Sequence, residues 1–324
     1  MAKWIYTTKC VSTAQEYLDA LESGYRSIEI HRDKLAQVFE ALKARHTENT
    51  VFAVAYARAL YMGQGCTADC DTAFAILTPL AESGDAWAQN HLGCCYQFGK
   101  GVEKSVDKAL ALFRKAAEQG EAEAQVNLGY FCNLKKSEPY TSEESDEWFR
   151  KAAVQGYAVA QCAIGFRYSC SAAYPGHGEL AEEWFRKAAA QGSVLGYYRL
   201  GEFYRFTPCD LQSYGRAVEC FLRASEQGDD SAQLDLGSMY EKGLGVPQSD
   251  VKAANWYRMA AERGNFSAQF QMGRICEGGI GVPKSFEEAL EWYNKSGESE
   301  DRFTRDRAQE AMKELVKRMK KAQK

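Results

Sequence analysis

The sequence predicts an all-α protein, a right-handed α/α solenoid of helix-turn-helix repeats with helical caps at both ends. Two series of glycines carry this prediction, because each recurs every 36 residues. The first series is Gly84, Gly120, Gly156, Gly192, Gly228 and Gly264, and the second is Gly93, Gly129, Gly165, Gly201, Gly237 and Gly273. A constant period of this length is typical of supersecondary units that stack on one another.

Residues 1–44 do not follow the period, and we predict that they form N-terminal capping helices. Thr13 and Glu16 resemble a capping box and Gly24 supplies a stop, which predicts a short helix between them. A second helix is expected from about Ser27 to His46. This pair would cover the open end of the stack, as terminal repeats must.

Residues 45–296 are predicted to form seven repeats, the first of them degenerate. In the repeat that contains Ala81–Ala117, helices are expected over about Asp85–Phe98 and Val106–Glu118. The loop between them, 99–102, has glycines where the backbone needs positive φ. Small residues recur along both helices opposite large aromatic ones, so that antiparallel helices can pack closely. Residues 297–324 are predicted to form one long C-terminal capping helix.

Composition restricts the class of partner. The formal net charge of −4 gives no basic surface for nucleic acid. The most apolar segment, Val51–Tyr61, is too short to cross a bilayer, and the N-terminal residues do not resemble a signal peptide. We therefore expect a soluble cytoplasmic protein with no nucleic-acid or membrane partner. The pattern does not fix the oligomeric state, and a monomer is favoured.

The eleven cysteines are expected to be free thiols. Their number is odd, and a reducing compartment is expected. Cys132, Cys220 and Cys276 occupy repeat positions where other repeats have Tyr or Trp, so they are predicted to be small core residues. Cys66 and Cys70 could grip a metal, but no second ligand pair accompanies them. Neither a metal site nor a cofactor is expected.

The repeat has the form A-E-x-G-D, A-Q, L-G, Y, G-x-G-V, K-A and W-Y/F-x-K-A-A, and it resembles the Sel1-like repeat family, a relative of tetratricopeptide repeats. The resemblance is strong over Ala81–Ser296 and weak over Arg45–Leu80. It implies an α/α solenoid that acts as an adaptor for protein or peptide partners. Three loops keep their length but lose the Gly-x-Gly-Val sequence: Lys135–Tyr140, Ser171–Gly178 and Thr207–Gln212. They are either remodelled for a ligand or the product of drift.

Some cysteine-rich relatives are associated with β-lactam hydrolysis, and two S-x-x-K matches, Ser105–Lys108 and Ser249–Lys252, invite that comparison. Both serines belong to a repeat position at the start of the second helix, occupied by Asp69, Ser105, Thr141, His177, Ser213, Ser249 and Ser285. Most of these residue types are good helix N-caps. A nucleophile is singular and needs a positioned base. We therefore predict no catalytic residue and no enzyme; a hydrolase and a self-assembling structural protein are the alternatives.

The predicted binding surface is the concave groove, which the first helices line in tetratricopeptide-like stacks. Repeat register places on it Trp87, Asn90, Tyr130, Asn133, Phe166, Tyr198, Glu202, Arg205, Ser238, Glu241, Phe270 and Arg274. Aromatic and Arg side chains are enriched at interfaces. Within Tyr197–Phe206, Arg199 and Arg205 would form an aromatic–basic patch for an acidic segment, although Gly196 making room for Tyr197 explains part of this sequence structurally.

Overall fold

Seventeen helices and two short strands make up the part of the chain that the structure, a computed structural model, describes: residues 9–26, 28–30, 32–134, 142–170, 176–207 and 211–322. The chain divides into two compact units, residues 1–196 (unit 1) and 197–324 (unit 2). Both have the predicted all-α repeat architecture outside the short N-terminal strands. Among the described helices, none has the length and apolar composition that spanning a bilayer requires.

The N-terminal segment of unit 1 is partly different from the prediction. β1 (Lys9–Val11) is followed by α1 (Ala14–Glu22), β2 (Ile28–Ile30), a 3-10 turn (Arg32–Lys34) and α2 (Leu35–Arg45). The predicted short helix is confirmed, since the Thr13 side chain caps α1 by accepting from the Glu16 N–H. A helix from residue 27 is wrong, because 28–30 pairs in parallel with 9–11. Its Ile-Glu-Ile alternation has the period of a strand.

The repeats of unit 1 consist of paired antiparallel helices. They are α3 (Thr50–Met62), α4 (Cys70–Glu82), α5 (Ala86–Phe98), α6 (Val106–Glu118), α7 (Ala122–Leu134), α8 (Ser142–Val154), α9 (Ala158–Cys170) and α10 (His177–Ala189). Odd-numbered helices are the first helices of the repeats and even-numbered ones the second. Each first helix packs on the second helix that follows it, and α5 also contacts α3 and α7.

The division between the units falls within α11 (Val194–Phe206). Unit 2 continues with α12 (Leu211–Glu226), α13 (Asp230–Lys242), α14 (Asp250–Glu262), α15 (Phe266–Gly278), α16 (Phe286–Ser296) and α17 (Arg302–Ala322). α17 packs on α15 and α16 and buries Ala308 and Leu315 completely. The long C-terminal helix was predicted, but it begins at Arg302 and not at Ser299.

The second series of glycines has a packing function that the period alone does not reveal. A Cβ atom on Gly93 would lie 2.7 Å from the Phe113 ring, and one on Gly237 would lie 2.6 Å from the Tyr257 ring. Real Cβ contacts are not that short, so any larger residue would force the two helices of a repeat apart. The loop glycines behave as predicted, with φ of 68° at Gly99.

Candidate interaction surface

Exposed aromatic side chains lie on the first helices of unit 1. Tyr130 on α7 is 48% exposed and Phe166 on α9 is 51% exposed, and they occupy equivalent repeat positions. The Tyr130 ring packs edge-on against Phe149, with centroids 5.1 Å apart. Phe98, at the C-terminal end of α5, is 60% exposed. Large apolar groups left in solvent at repeating positions are typical of binding surfaces.

Two predicted groove residues of α5 are not exposed. Trp87 is 4% exposed, because the Arg26 guanidinium lies 4.6 Å from the centre of its ring, and its ring also lies beside that of His91. Asn90 is fully buried, and its Oδ1 accepts a hydrogen bond from Asn127 Nδ2 at 2.8 Å. The expectation that both face solvent is wrong, because the N-terminal segment and α7 cover this side of α5.

The repeat position of Asn90 is a packing position throughout unit 1. Val126 on α7 and Cys162 on α9 follow Asn90 in register, and both are almost completely buried. Four residues later, Tyr130 and Phe166 emerge into solvent. One turn of helix therefore separates a side chain that packs between neighbouring helices from one on the free face. The predicted groove residue Asn133 has a side chain outside the described residues.

In unit 2, the predicted cationic groove residues are already paired. Arg205 forms an ion pair with Asp235, and Arg199 pairs with Glu202 at 2.7 Å. Tyr198 lies beside Phe221, with ring centroids 5.8 Å apart, and burial raises the pKa of its hydroxyl. An acidic segment would have to compete with internal carboxylates for these arginines, so the predicted aromatic–basic patch is not an open cationic site.

The remaining predicted residues lie on α13 and α15 and are half-buried. Glu241 accepts a hydrogen bond from the Tyr257 hydroxyl at 2.7 Å and also pairs with Arg274. Phe270 lies 5.6 Å from the Tyr293 ring, and the Arg307 guanidinium of α17 covers it at 4.4 Å. Ser238 is also half-buried. Each of these side chains therefore has an internal structural neighbour or limited exposure.

A polar pocket in unit 1 was missed by the sequence analysis. Its residues come from four parts of the chain, and Arg58 on α3 interacts electrostatically with the rest except His91, which in turn interacts with Arg58 and Glu123. We name it the Arg58 pocket and define it by Tyr17, Arg58, His91, Glu123 and Tyr157. Register could have found it, because Arg58 stands 72 residues before Tyr130 in the same repeat position. The weak repeat pattern before Ala81 concealed this equivalence.

The electrostatics of the Arg58 pocket follow from its enclosure. His91 is 6% exposed, and burial lowers the pKa of its imidazole to about 4, so the ring is neutral at physiological pH. Burial likewise raises the pKa values of the Tyr17 and Tyr157 hydroxyls, which stay protonated. The pocket therefore offers hydroxyl groups and a neutral imidazole around one permanent cation, Arg58, with Glu123 as its carboxylate.

The serines of the S-x-x-K matches are helix caps. Ser105 Oγ accepts from the Lys108 N–H at 3.4 Å, and Ser249 Oγ accepts from the Lys252 N–H at 3.3 Å. Asp69 and Ser285 cap α4 and α16 in the same way. Other members of this repeat position depart from the prediction: Ser213 lies inside α12 and His177 is the first residue of α10, whereas Thr141 lies outside the described residues.

The described cysteines are free, nine in all. Cys132 and Cys276 are buried core residues, as register predicts, while Cys220 is half-buried. Burial raises the pKa of the Cys95 thiol to about 12 and that of Cys132 to about 11, which makes them poor nucleophiles. Within the described part of the chain, no cluster of three His, Cys, Asp or Glu residues is arranged to hold a metal ion.

Comparison with known proteins agrees with the repeat architecture. A sequence model of the Sel1 repeat matches residues 52–85, 88–121, 122–134, 147–157, 158–193, 194–229, 230–265 and 266–301. The chain matches no curated protein sequence. Among solved structures, a Sel1 repeat protein from Oxalobacter formigenes is 30% identical with a TM-score of 0.62, and the match covers 77% of this chain and 98% of that one.

Two further structures are similar. A protective antigen of uropathogenic Escherichia coli with an SLR fold is 28% identical with a TM-score of 0.63, over 94% of this chain and 64% of the antigen, so this chain spans under two thirds of its length. Human IFIT1, in a complex with m7Gppp-AAAA, is 19% identical with a TM-score of 0.56, over 83% of this chain and 63% of that one. At that identity the likeness concerns the fold alone.

Proposed function

This chain belongs to the Sel1 repeat family, a family of interaction scaffolds, and we propose that it is an adaptor that binds a peptide segment of a partner protein on the groove formed by its first helices. The observation that carries the proposal is the exposure of Tyr130 and Phe166 at equivalent positions of α7 and α9. Neither side chain is needed to fill the core there. Rigid aromatic groups of this kind supply large contact area at low entropic cost.

Unit 1 is the main docking unit in this proposal. At the repeat position of Tyr130 and Phe166, unit 2 has Glu202, Ser238 and Arg274, and both charged residues are engaged in internal ion pairs. Partners that use unit 2 would have to displace those pairs. The half-buried Tyr198 and Phe270 therefore have a secondary part in the proposed groove.

The proposed test uses two matched sets of variants. Tyr130→Ala combined with Phe166→Ala removes the exposed aromatic groups, and Val154→Ala removes an 81% exposed apolar group from the second helix α8. Partners that the tagged wild-type protein retains from its native lysate should be lost from the double variant and kept by Val154→Ala. Thermal unfolding of all three proteins should coincide, because exposed positions contribute little to stability. Equal retention by both variants would contradict the assignment to this surface.

The proposed adaptor is not an enzyme and acts in the cytoplasm. Its S-x-x-K serines serve as caps, so Ser105→Ala and Ser249→Ala should each lower the free energy of unfolding by about 1 kcal/mol. Incubation with penicillin should leave no covalent adduct in an intact-mass spectrum. The free described cysteines suit a reducing compartment. A covalent adduct on either serine would favour the hydrolase alternative instead.

A further inference from the structure

The Arg58 side chain occupies a recess and not the core of unit 1. Helices α1, α3, α5 and α7 contribute the groups around it, and Tyr17, Glu123 and Tyr157 all lie within its electrostatic reach. The residue nevertheless keeps part of its surface accessible, as do Tyr17, Glu123 and Tyr157. A side chain that is surrounded by several helices yet partly accessible lines a concave pocket.

The pocket contains hydrogen-bond donors without acceptors. Arg58 Nε, Asn90 Nδ2 and His91 Nε2 are buried and have no hydrogen-bond partner among the described residues. Arg58 also forms no ion pair with a described carboxylate, although Glu123 is its nearest electrostatic counterpart. Asn90 is fully buried and His91 is 6% exposed. Buried polar groups are normally paired, so a cluster of unpaired donors around a cation requires an explanation.

A carboxylate is the ligand that would satisfy these donors. Arg presents a planar fork that matches the two oxygens of a carboxylate. The neutral His91 ring carries one N–H, which on Nε2 would donate to the same anion. Glu123 would repel a bare phosphate but would accept a hydrogen bond from an N–H next to the bound carboxylate. A carboxylate with a neighbouring amide N–H is what the last residue of a peptide presents, and an Asp side chain presents a similar pair.

The pocket adjoins the exposed aromatic surface. Tyr157 interacts electrostatically both with Arg58 and with Tyr130, so it links the recess to the exposed face of α7. A peptide whose carboxylate enters the recess would continue past Tyr157 toward Tyr130. We propose that the Arg58 pocket binds a peptide carboxylate, with Arg58 as its charge partner and Glu123 as acceptor for the adjacent N–H. This inference rests on the proposed function, because it supplies the anchor for the same peptide.

The test uses three small probes that differ only in where they carry a carboxylate. N-acetylglycine presents a terminal carboxylate, N-acetylaspartic acid methylamide presents a side-chain carboxylate, and N-acetylglycine methylamide presents none. Binding to the full chain is followed by NMR of histidine-labelled protein, in which the sequence gives four signals. The His91 signal is assigned by its loss in His91→Gln. Millimolar probe concentrations suit the weak affinity of so small a ligand.

We expect at least one carboxylate probe to shift the His91 signal and the uncharged probe to leave it unchanged. Arg58→Gln should weaken that binding about tenfold or more, because it removes the charged fork. The exposed Arg150→Gln on α8 is the matched control and should bind like wild type. A larger shift by N-acetylglycine identifies a chain terminus as the source, and a larger shift by the aspartate derivative identifies an acidic side chain.

The inference is overturned if all three probes act alike or if Arg58→Gln binds a carboxylate probe as wild type does. Should Arg58→Gln not fold, Arg58→Lys keeps the charge without the fork and is expected to bind severalfold more weakly; unchanged binding by that folded variant overturns the role of the fork. Failure here with continued loss of partners from the Tyr130/Phe166 double variant would leave the adaptor function standing. Failure of both would remove the function as well.

Discussion

The two units use one repeat pattern but resolve the polar residues of their first helices differently. In unit 2, Arg205 and Arg274 pair with Asp235 and Glu241, so charge is neutralised within the fold. In unit 1, Arg58 has no such pair among the described residues, and exposed Tyr130 stands at the same repeat position. Register therefore determines where a side chain points, and the neighbouring repeats determine whether it is available to a partner.

The interior shows a second difference. Unit 1 fills the space behind its periodic glycines with Phe113, Phe149 and Phe185, whereas unit 2 has Tyr257 and Tyr293 in later repeats. Each Tyr hydroxyl donates to a glutamate sixteen residues earlier: Tyr257 to Glu241 at 2.7 Å, and Tyr293 to Glu277 at 2.9 Å. A buried hydroxyl needs such an acceptor, so the Tyr and Glu positions form a unit that the Phe repeats do without.

The largest expected effect concerns these rings, which should matter equally in both units. Phe149→Ala and Tyr257→Ala each open a cavity opposite a glycine and should lower the free energy of unfolding by about 3–5 kcal/mol. Urea denaturation of the purified variants measures both. If Tyr257→Ala costs far less than Phe149→Ala, the two rings are not equivalent elements of the core.

The next effect is the pH dependence that the two units contribute at one repeat position, occupied by His91 in unit 1 and Asp235 in unit 2. Burial lowers the pKa of His91 from 6.5 to about 4, so the unfolded chain binds the proton more readily. Stability from this group is complete above pH 6.5 and is lost as pH falls toward 4, by up to about 3 kcal/mol. Burial raises the pKa of Asp235, despite Arg205, and this contribution has the opposite sign.

The measurement is the difference in unfolding free energy between wild type and each variant from pH 7.5 to 4.5, in urea. For His91→Gln, the advantage of wild type should shrink as pH falls. For Asp235→Asn, the disadvantage of the charged carboxylate should shrink over the acid end of the same range. Parallel curves for wild type and His91→Gln would mean that the imidazole is solvated enough to titrate normally.

The sequence predicts the repeat architecture because every period reports the same packing solution. Gly93 and its equivalents must be small to admit an aromatic ring, and Ser105 and Ser249 must supply caps, so both leave a periodic signal. The strand at 28–30 leaves none, since its partner at 9–11 is far away in sequence. Local periodicity cannot report a pairing that depends on tertiary contact.

The candidate surface could be predicted only in part, for the same reason. Tyr130 and Phe166 are exposed as register indicates, whereas Trp87 is covered by Arg26, a residue outside the repeats. Arg205 is on the predicted face, but its availability depends on Asp235, thirty residues later. A repeat pattern fixes the direction of each side chain and contains no information about what a non-repeating segment or a neighbouring charge places over it.

A smaller effect is expected from moving the Tyr–Glu unit into unit 1. Phe113 and Gln97 occupy the repeat positions of Tyr257 and Glu241. Phe113→Tyr adds a buried hydroxyl opposite a neutral amide and should lower the free energy of unfolding by about 1–2 kcal/mol. Adding Gln97→Glu supplies the acceptor and should restore about 1 kcal/mol. A double-mutant cycle measures the coupling, and a value near zero would show that the pairing depends on other features of unit 2, such as Arg274.

The smallest effect concerns glutamine pairs that unit 1 has and unit 2 lacks. In unit 1, the Gln119 amide donates to Gln89 Oε1 at 2.8 Å, and Gln155 and Gln191 repeat the contact with Gln125 and Gln161. In unit 2, Arg263 stands at the position of Gln119, and Gln233 Oε1 is buried with no partner among the described residues.

Arg263→Gln should therefore stabilise the protein, by about 1 kcal/mol, because the new amide can donate to Gln233 Oε1 as Gln119 does to Gln89. The exposed Arg263 has no ion pair with a described residue to lose in exchange. The reciprocal change in unit 1, Gln119→Arg, should cost about the same amount, since it leaves Gln89 Oε1 without its donor. Urea denaturation of the two single variants decides the matter. Opposite signs follow only if this one amide contact, and no wider difference between the units, sets the effect; a loss of stability in both would mean that Arg263 contributes through its aliphatic stem, which lies over Gly228.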